Sequence, residues 1–167
     1  MKQTRRVFVK SIMAGTAAVS AGGFLPSFSA GSYNRIRGSN DRIAVAIMGV
    51  NSRGSALAST FAKQENCEIV FICDVDSRAA EKCNWSLEKL TGKRPSSPGD
   101  FRKALDSKDV DVLVIAAPDH WHAPAAIMAL AAGKHVYLEK PCSHNPREGE
   151  LLVAAVEKYG KVVQMGN

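Results

Sequence analysis

The most constraining feature of this chain is the run Ile43-Ala44-Val45-Ala46-Ile47-Met48, six consecutive apolar residues broken by Gly49. A strand with one face in water alternates apolar and polar residues, whereas an uninterrupted run marks a strand buried on both faces. Such strands belong to sheets covered by helices on both sides, so the rest of the chain must supply helices. Residues 52–63 read as a helix with Ala56, Leu57, Thr60 and Phe61 on one face. Residues 68–73 are a second strand ending at Asp74, and 77–90 a helix capped by Ser77 and stopped at Gly92. Residues 93–99 are a loop with a vestigial third strand as the alternative, 100–105 a short helix, and 112–116 another fully apolar strand. Pro124 suits the first turn of a helix over 125–132 that ends at Gly133. A strand over 135–138, a helix from Asn145-Pro146 to Tyr159 closed by Gly160, and a last strand over 162–164 complete the pattern. Strands joined by helical segments make right-handed parallel crossovers, so the expected class is α/β with an open, doubly wound parallel sheet.

The turn after the first strand is Gly49-Val50-Asn51-Ser52-Arg53-Gly54. It matches the dinucleotide fingerprint G-x-G-x-x-G except that Asn51 replaces the second glycine. Gly49 permits the tight turn and Gly54 allows close packing of helix on sheet, while the helix N-terminus offers N–H groups and partial positive charge to a pyrophosphate. Asn51 crowds that approach, and the turn is expected to survive because Asn tolerates left-handed backbone angles. Gly49, Asn51, Ser52, Arg53 and Gly54 are therefore candidate cofactor contacts. Asp74, 20 residues after Gly54, stands where an acid hydrogen-bonds the ribose of NAD and repels the 2′-phosphate of NADP. NAD is thus expected over NADP, and Val75 after it adds no basic partner. The competing reading is that Asp74 only caps the next helix, a task for which Asp76 and Ser77 are also available.

The 167 residues, 46% hydrophobic and 23% charged, suffice for one domain with a sizeable core. Lys2, Arg5, Arg6 and Lys10 place four of the six net positive charges in the first 30 residues, which carry no acid, and leave +2 for the remainder. That remainder has no clustered basic stripe and no RNA-binding aromatic pattern, so nothing argues for nucleic acid. The paired arginines before Phe8, the weakly apolar stretch 11–25 and the small residues after Pro26 resemble a twin-arginine export signal. A Sec-type signal or an uncleaved amphipathic arm is the alternative. The apolar stretch falls short of the roughly 20 residues of a membrane-spanning helix. Residues 1–30 are thus expected to be a signal cleaved after Ser29 or Ala30, with a periplasmic or otherwise exported product. Residues 31–41 read as a linker, and 42–167 as the dinucleotide-binding domain.

Three further segments are Ala117-Pro118-Asp119-His120-Trp121-His122, Ala129-Leu130-Ala131-Ala132-Gly133-Lys134-His135-Val136, and Glu139-Lys140-Pro141. With the glycine turn and Asp74 they resemble the Gfo/Idh/MocA oxidoreductases, the glucose–fructose oxidoreductase and inositol dehydrogenase family, over residues 41–167. The resemblance implies a Rossmann NAD-binding fold in which Pro118, Asp119 and His122 belong to a loop lining the cofactor; Asp119 stands where a small polar residue such as Asn is common. It implies that Glu139 and Lys140 bind the cofactor, and that Lys140 lies near the nicotinamide as the catalytic residue that positions or polarises a substrate hydroxyl. It further implies a sugar or polyol substrate, a homo-oligomer in the complete enzyme, and a second α/β substrate domain absent from this chain. The chain ends at Gly166-Asn167, where the linker to that domain would begin, so it is expected to be incomplete, to bind cofactor without turnover, and to self-associate through the edge left bare.

Other chemistry is weaker. His120 and His122 could face one way in an extended loop, but no third ligand stands at metal-site spacing, and no metal is expected. Cys67, Cys73, Cys83 and Cys142 show no C-x-x-C spacing. Cys67 and Cys73 share the parity of one strand face and read as buried small apolar residues, while Cys142 is given no role and Trp85 reads as packing. Two other functions stay open: a hydrolase that uses bound NAD for a transient oxidation without net redox, and a non-catalytic dinucleotide-binding module.

Overall fold

A computed structural model describes residues 42–166; the expected signal and linker, residues 1–41, and Asn167 lie outside the described residues. The chain runs β1 (Ile43–Met48), α1 (Arg53–Ala62), β2 (Cys67–Cys73), α2 (Ser77–Thr91), α3 (Arg102–Leu105) and β3 (Val112–Ile115). A 3₁₀ turn (Asp119–Trp121), α4 (His122–Ala131), β4 (His135–Leu138), α5 (Pro146–Tyr159) and β5 (Val163–Met165) follow. All strand pairs are parallel and the order is β2-β1-β3-β4-β5. From β1 the chain crosses to β2 on one side and later returns to β3 on the other. That reversal opens a crevice at the carboxyl ends of β1 and β3, where ligands bind in doubly wound sheets. The vestigial third strand is a single bridge outside β2: Ile72 N–H donates to the Ser96 carbonyl (2.9 Å) and Ser96 N–H to that of Val70 (3.0 Å).

The apolar runs do what both-face burial demands. Val45, Ile47, Ile72 and Val114 pack with Leu57, Ala58, Cys83 and Leu87 of α1 and α2 on one face. Ala46, Cys73, Leu113, Ile115 and Leu138 pack with Ala104, Ala126, Leu130 and Leu152 of α3, α4 and α5 on the other. Small alanines on α4 let that helix lie close to the sheet, and Ala125, Ala126 and Ala129 are fully buried.

Four local expectations change. Cys67 and Cys73 do not share a face, because a register shift pairs Val45 with Ile69 but Ala46 with Phe71. The extra residue reverses the pleat, so Cys67 joins the α1–α2 core and Cys73 the opposite one. The cap of α2 is Asp76, whose carboxylate accepts from Arg78 N–H at 2.9 Å, and Ser77 is already helical. Helix α4 begins at His122, directly off the 3₁₀ turn, with Pro124 inside its first turn where the missing N–H costs nothing. Trp85 is not packed: it is exposed, with the Lys89 ammonium 3.5 Å above its ring centroid. The αL glycines Gly92 and Gly160 end α2 and α5, and Asn145 caps α5 by accepting from Glu148 N–H. Among the described residues no helix is long and apolar enough to cross a membrane.

Candidate cofactor site

The glycine turn is a steric construction. Gly49 has φ +82°, and a Cβ there would lie 2.8 Å from the Ala117 backbone at the end of β3. Both the left-handed angle and the close approach exclude a side chain. A Cβ on Gly54 would fall 1.7 Å from the Gly49 carbonyl oxygen, so α1 starts directly against the turn that feeds it. Asn51 and Ser52 sit exposed between them. Asn51 does not take left-handed angles, since Asn66 is the one non-glycine residue with positive φ among the described residues. The reversal is taken up at Gly49, so the replacement of the second glycine is met without strain at Asn51.

Asp74 closes the turn from β2. Its carboxylate accepts Val50 N–H at 2.7 Å and Asp76 N–H at 2.9 Å, and Gly49 N–H donates to the Cys73 carbonyl at 2.8 Å. Two carboxylate oxygens have about four acceptor positions, so this leaves capacity for hydroxyl donors. Beside it opens a cleft of about 560 Å³ whose walls include Met48, Gly49, Asp74, Phe101, Pro118 and Trp121. Phe101 and Trp121 meet edge to face, with centroids 6.2 Å apart. Arg102 also borders the cleft, but Asp100 holds its guanidinium at 2.8–3.0 Å and so occupies its charge. Phe101 had no signal in the sequence: it comes from the segment between β2 and β3.

The loops after β3 and β4 form the other half. Lys140 follows β4 and is exposed at the carboxyl edge of the sheet. Glu139 beside it is buried, 6% exposed, and accepts from Arg53 Nε at 2.8 Å. The Glu139 carboxylate, aided by the Tyr137 phenol, raises the Arg53 pKa. His122 does not present its ring to the cleft. It is 2% exposed, with Nδ1 2.5 Å from the Pro141 carbonyl and Nε2 2.8 Å from that of Ala117. An N–H on either nitrogen donates to the carbonyl it faces. The residue therefore ties the β3 loop to the β4 loop, while its neighbours Pro118 and Trp121 form the wall. This also ends the shared-ligand reading of His120 and His122, because both His122 nitrogens face backbone carbonyls while the His120 side chain borders the cleft. Asp119 lies outside the wall as well; its carboxylate accepts from His144 Nδ1 at 3.1 Å and from His120 N–H at 2.8 Å. The His144 contact comes first in lowering the Asp119 pKa below the usual carboxylate range. Among the described residues no cluster of three or more His, Cys, Asp or Glu side chains could hold a metal ion.

The candidates thus converge on one edge, with Gly49, Asn51, Ser52, Arg53, Gly54 and Asp74 on the β1–β2 side and Pro118, Asp119, His122, Glu139 and Lys140 on the β3–β4 side. The arrangement fits a dinucleotide. The two glycines keep the turn free of Cβ atoms, Asp74 has spare acceptor capacity for ribose hydroxyls, and an aromatic-walled cleft of base size adjoins both. A relative from Shewanella sp. (strain ANA-3), glycosyl hydrolase family 109 protein 2, is 35% identical over 105 residues, 60% of this chain and 23% of its own length. The crystal structure of an NAD-binding oxidoreductase from Klebsiella pneumoniae superposes with TM-score 0.64 at 28% identity, over 75% of this chain and 34% of that one. That of GenD2 from gentamicin A biosynthesis, in complex with NAD, gives 0.66 at 26%, again over 75% and 34%. The chain therefore spans about a quarter to a third of the length of these proteins. The model of the oxidoreductase family with an NAD-binding Rossmann fold, Gfo/Idh/MocA, matches residues 43–167, and the chain belongs to that family.

Proposed function

We propose that this chain is the NAD-binding part of an enzyme that oxidises a CH–OH group of a sugar or polyol, with Lys140 as its catalytic residue. The observation that carries this reading is the place of Lys140, two residues beyond β4 at the carboxyl edge, adjoining the residue that grips the start of α1. Bound NAD supplies a hydride acceptor. An ammonium group at that edge holds the substrate hydroxyl, stabilises the developing alkoxide and assists removal of its proton. Preference for NAD over NADP follows from Asp74 and from Arg102, whose charge Asp100 already matches.

The test has two stages. Titration of the full chain with NADH and NADPH, followed by Trp121 fluorescence, is expected to show saturable NADH binding and weaker NADPH binding. In the whole natural protein, Lys140→Ala is expected to abolish polyol oxidation while leaving NADH affinity within about threefold, since lysine contributes here to the reacting centre. Turnover by the alanine variant would remove Lys140 from the chemistry.

The hydrolase name of the curated relatives supports a second reading, in which a glycosidic bond is cleaved through transient oxidation on retained NAD. Accumulating NADH supports the dehydrogenase; glycoside cleavage without it supports the hydrolase. We also propose export by the twin-arginine route, on the strength of Arg5-Arg6 and the apolar stretch after them. Unimpaired export after both arginines are changed to Lys would defeat that route. Assembly as a homo-oligomer is part of the same proposal, and light scattering of the whole protein tests it.

A further inference from the structure

We infer that Glu139 acts on the cofactor through Arg53: it is a positioning residue that holds the Arg53 guanidinium across the crevice as a clamp for the phosphate on the nicotinamide side of the dinucleotide. The inference rests on the NAD reading above and assigns it a charge pair that neither motif contains by itself.

Four observations support it. Arg53 is the first residue of α1, at the positive end of the helix that follows the glycine turn. Its side chain does not follow α1 but reaches Glu139, beyond the end of β4, with β3 between β1 and β4 in the sheet. The guanidinium therefore spans from the turn towards the loop that carries Lys140. The exposures are unequal: the Glu139 side chain is 8% exposed and that of Arg53 54%. The carboxylate is thus the fixed anchor, and the half-exposed guanidinium keeps N–H donors accessible to a ligand at this edge. Finally, the anchor is enclosed. A Cβ on Gly166 would lie 2.6 Å from the Tyr137 hydroxyl and 3.2 Å from Glu139 Oε1, so chain leaving β5 passes over Tyr137 and Glu139 with no room to spare.

A dinucleotide carries two adjacent phosphates. One fits the N–H groups at the start of α1. The other lies further towards β4, where a planar cation with several donors, already oriented by a buried carboxylate, binds a phosphate without losing side-chain freedom. On this account the glutamate of the Glu139-Lys140-Pro141 motif is retained for the cofactor and the lysine for the substrate.

The experiment measures binding of NADH, ADP-ribose and AMP to the full chain for wild type, Arg53→Gln, Glu139→Gln and the double variant, with circular dichroism and thermal melts to establish that each is folded. AMP carries the adenosine half and one phosphate only. Arg53→Gln and Glu139→Gln are each expected to weaken NADH and ADP-ribose about tenfold, the loss of one charge-assisted contact. AMP affinity is expected to stay within about twofold, and the double variant to be no weaker than Arg53→Gln, because the two residues act as one unit. The NADH-specific salt dependence should fall with Arg53→Gln. Equal weakening of AMP, additive losses in the double variant, or tighter NADH binding by Glu139→Gln would each overturn the inference, the last because it would make Glu139 a competitor for Arg53. If Glu139→Gln does not fold, Glu139→Asp, which keeps the charge and shortens the reach, serves in its place with the same expectations. A folded wild type that binds AMP but not NADH overturns this clamp and leaves the adenosine cleft standing. One that binds neither overturns the NAD reading itself.

Discussion

On the β1–β2 side of the crevice the site is made by leaving side chains out; on the β3–β4 side it is made by tying side chains together. Gly49 and Gly54 are there because a Cβ would lie 2.8 Å and 1.7 Å from backbone atoms, and the Asp74 carboxylate braces the turn at Val50 N–H. Across the crevice the loops after β3 and β4 are held by His122 between two carbonyls, by His144 on Asp119, and by Glu139 on Arg53. The first side is rigid because nothing fits between its parts. The second is as rigid as its hydrogen bonds. The half that carries the glycine turn is thereby preorganised by sterics, and the half that carries Lys140 is adjustable by single contacts.

The largest effect that would sharpen this contrast is Gly54→Ala. A methyl group cannot share space with the Gly49 carbonyl, so the turn or α1 must shift, and a loss of at least about 3 kcal/mol in urea unfolding is expected. A Gly54→Ala protein with wild-type stability and NADH affinity would show that the turn is compliant and break the comparison. His122→Ala comes next. It leaves one of the Ala117 and Pro141 carbonyls without its buried donor and opens a void where the ring stood, a cost of about 2–4 kcal/mol. His122→Gln, whose amide can still donate to one carbonyl, should recover part of that loss. If the alanine variant melts like wild type, the clasp is not what holds the loops.

Smaller still is Asp74→Ser. It removes the repulsion of a 2′-phosphate and should collapse the NADH over NADPH affinity ratio about tenfold, a change of ~1.4 kcal/mol. The brace on Val50 N–H is partly kept by the serine hydroxyl, so stability should change less than in either variant above. An unchanged ratio would detach Asp74 from cofactor choice. The smallest expected effect is pH dependence at Asp119. Its folded pKa is depressed, chiefly by His144, so its stabilisation is present above the ordinary carboxylate value of about 4 and is lost as pH falls through the lower folded value. Melting temperatures of wild type and Asp119→Asn should therefore differ at pH 5 and draw together as pH falls below the ordinary carboxylate range. A gap that stays constant across that range would mean that the Asp119–His144 tie carries no charge-dependent share.

The contrast also separates what could be read early from what could not. The first side was legible because its rule is local: an apolar run, a glycine, and a second glycine opening the helix lie within 12 residues. The ties of the second side join residues 19, 25 and 86 positions apart. No periodicity records such pairs. His122 stood in a recognised motif, and the motif located it without stating where its ring points. The same holds for Cys67 and Cys73, whose parity was read correctly along the strand and then reversed by a bulge that exists only when β2 pairs with β1.

By itself, then, the amino-acid order determined the class of fold, the alternation of strands and helices, and the presence of a glycine turn with an acid at the next strand end. These follow from apolar periodicity and from the absence of Cβ atoms, which are properties of short segments. Only the tertiary structure decided that Glu139 belongs to Arg53, that His122 is a clasp and not a wall, that Phe101 and Trp121 share a cleft, and which core each cysteine enters. Those outcomes depend on which polar groups are left together once water is excluded. Buried donors and acceptors must then find partners across whatever chain distance the sheet has closed.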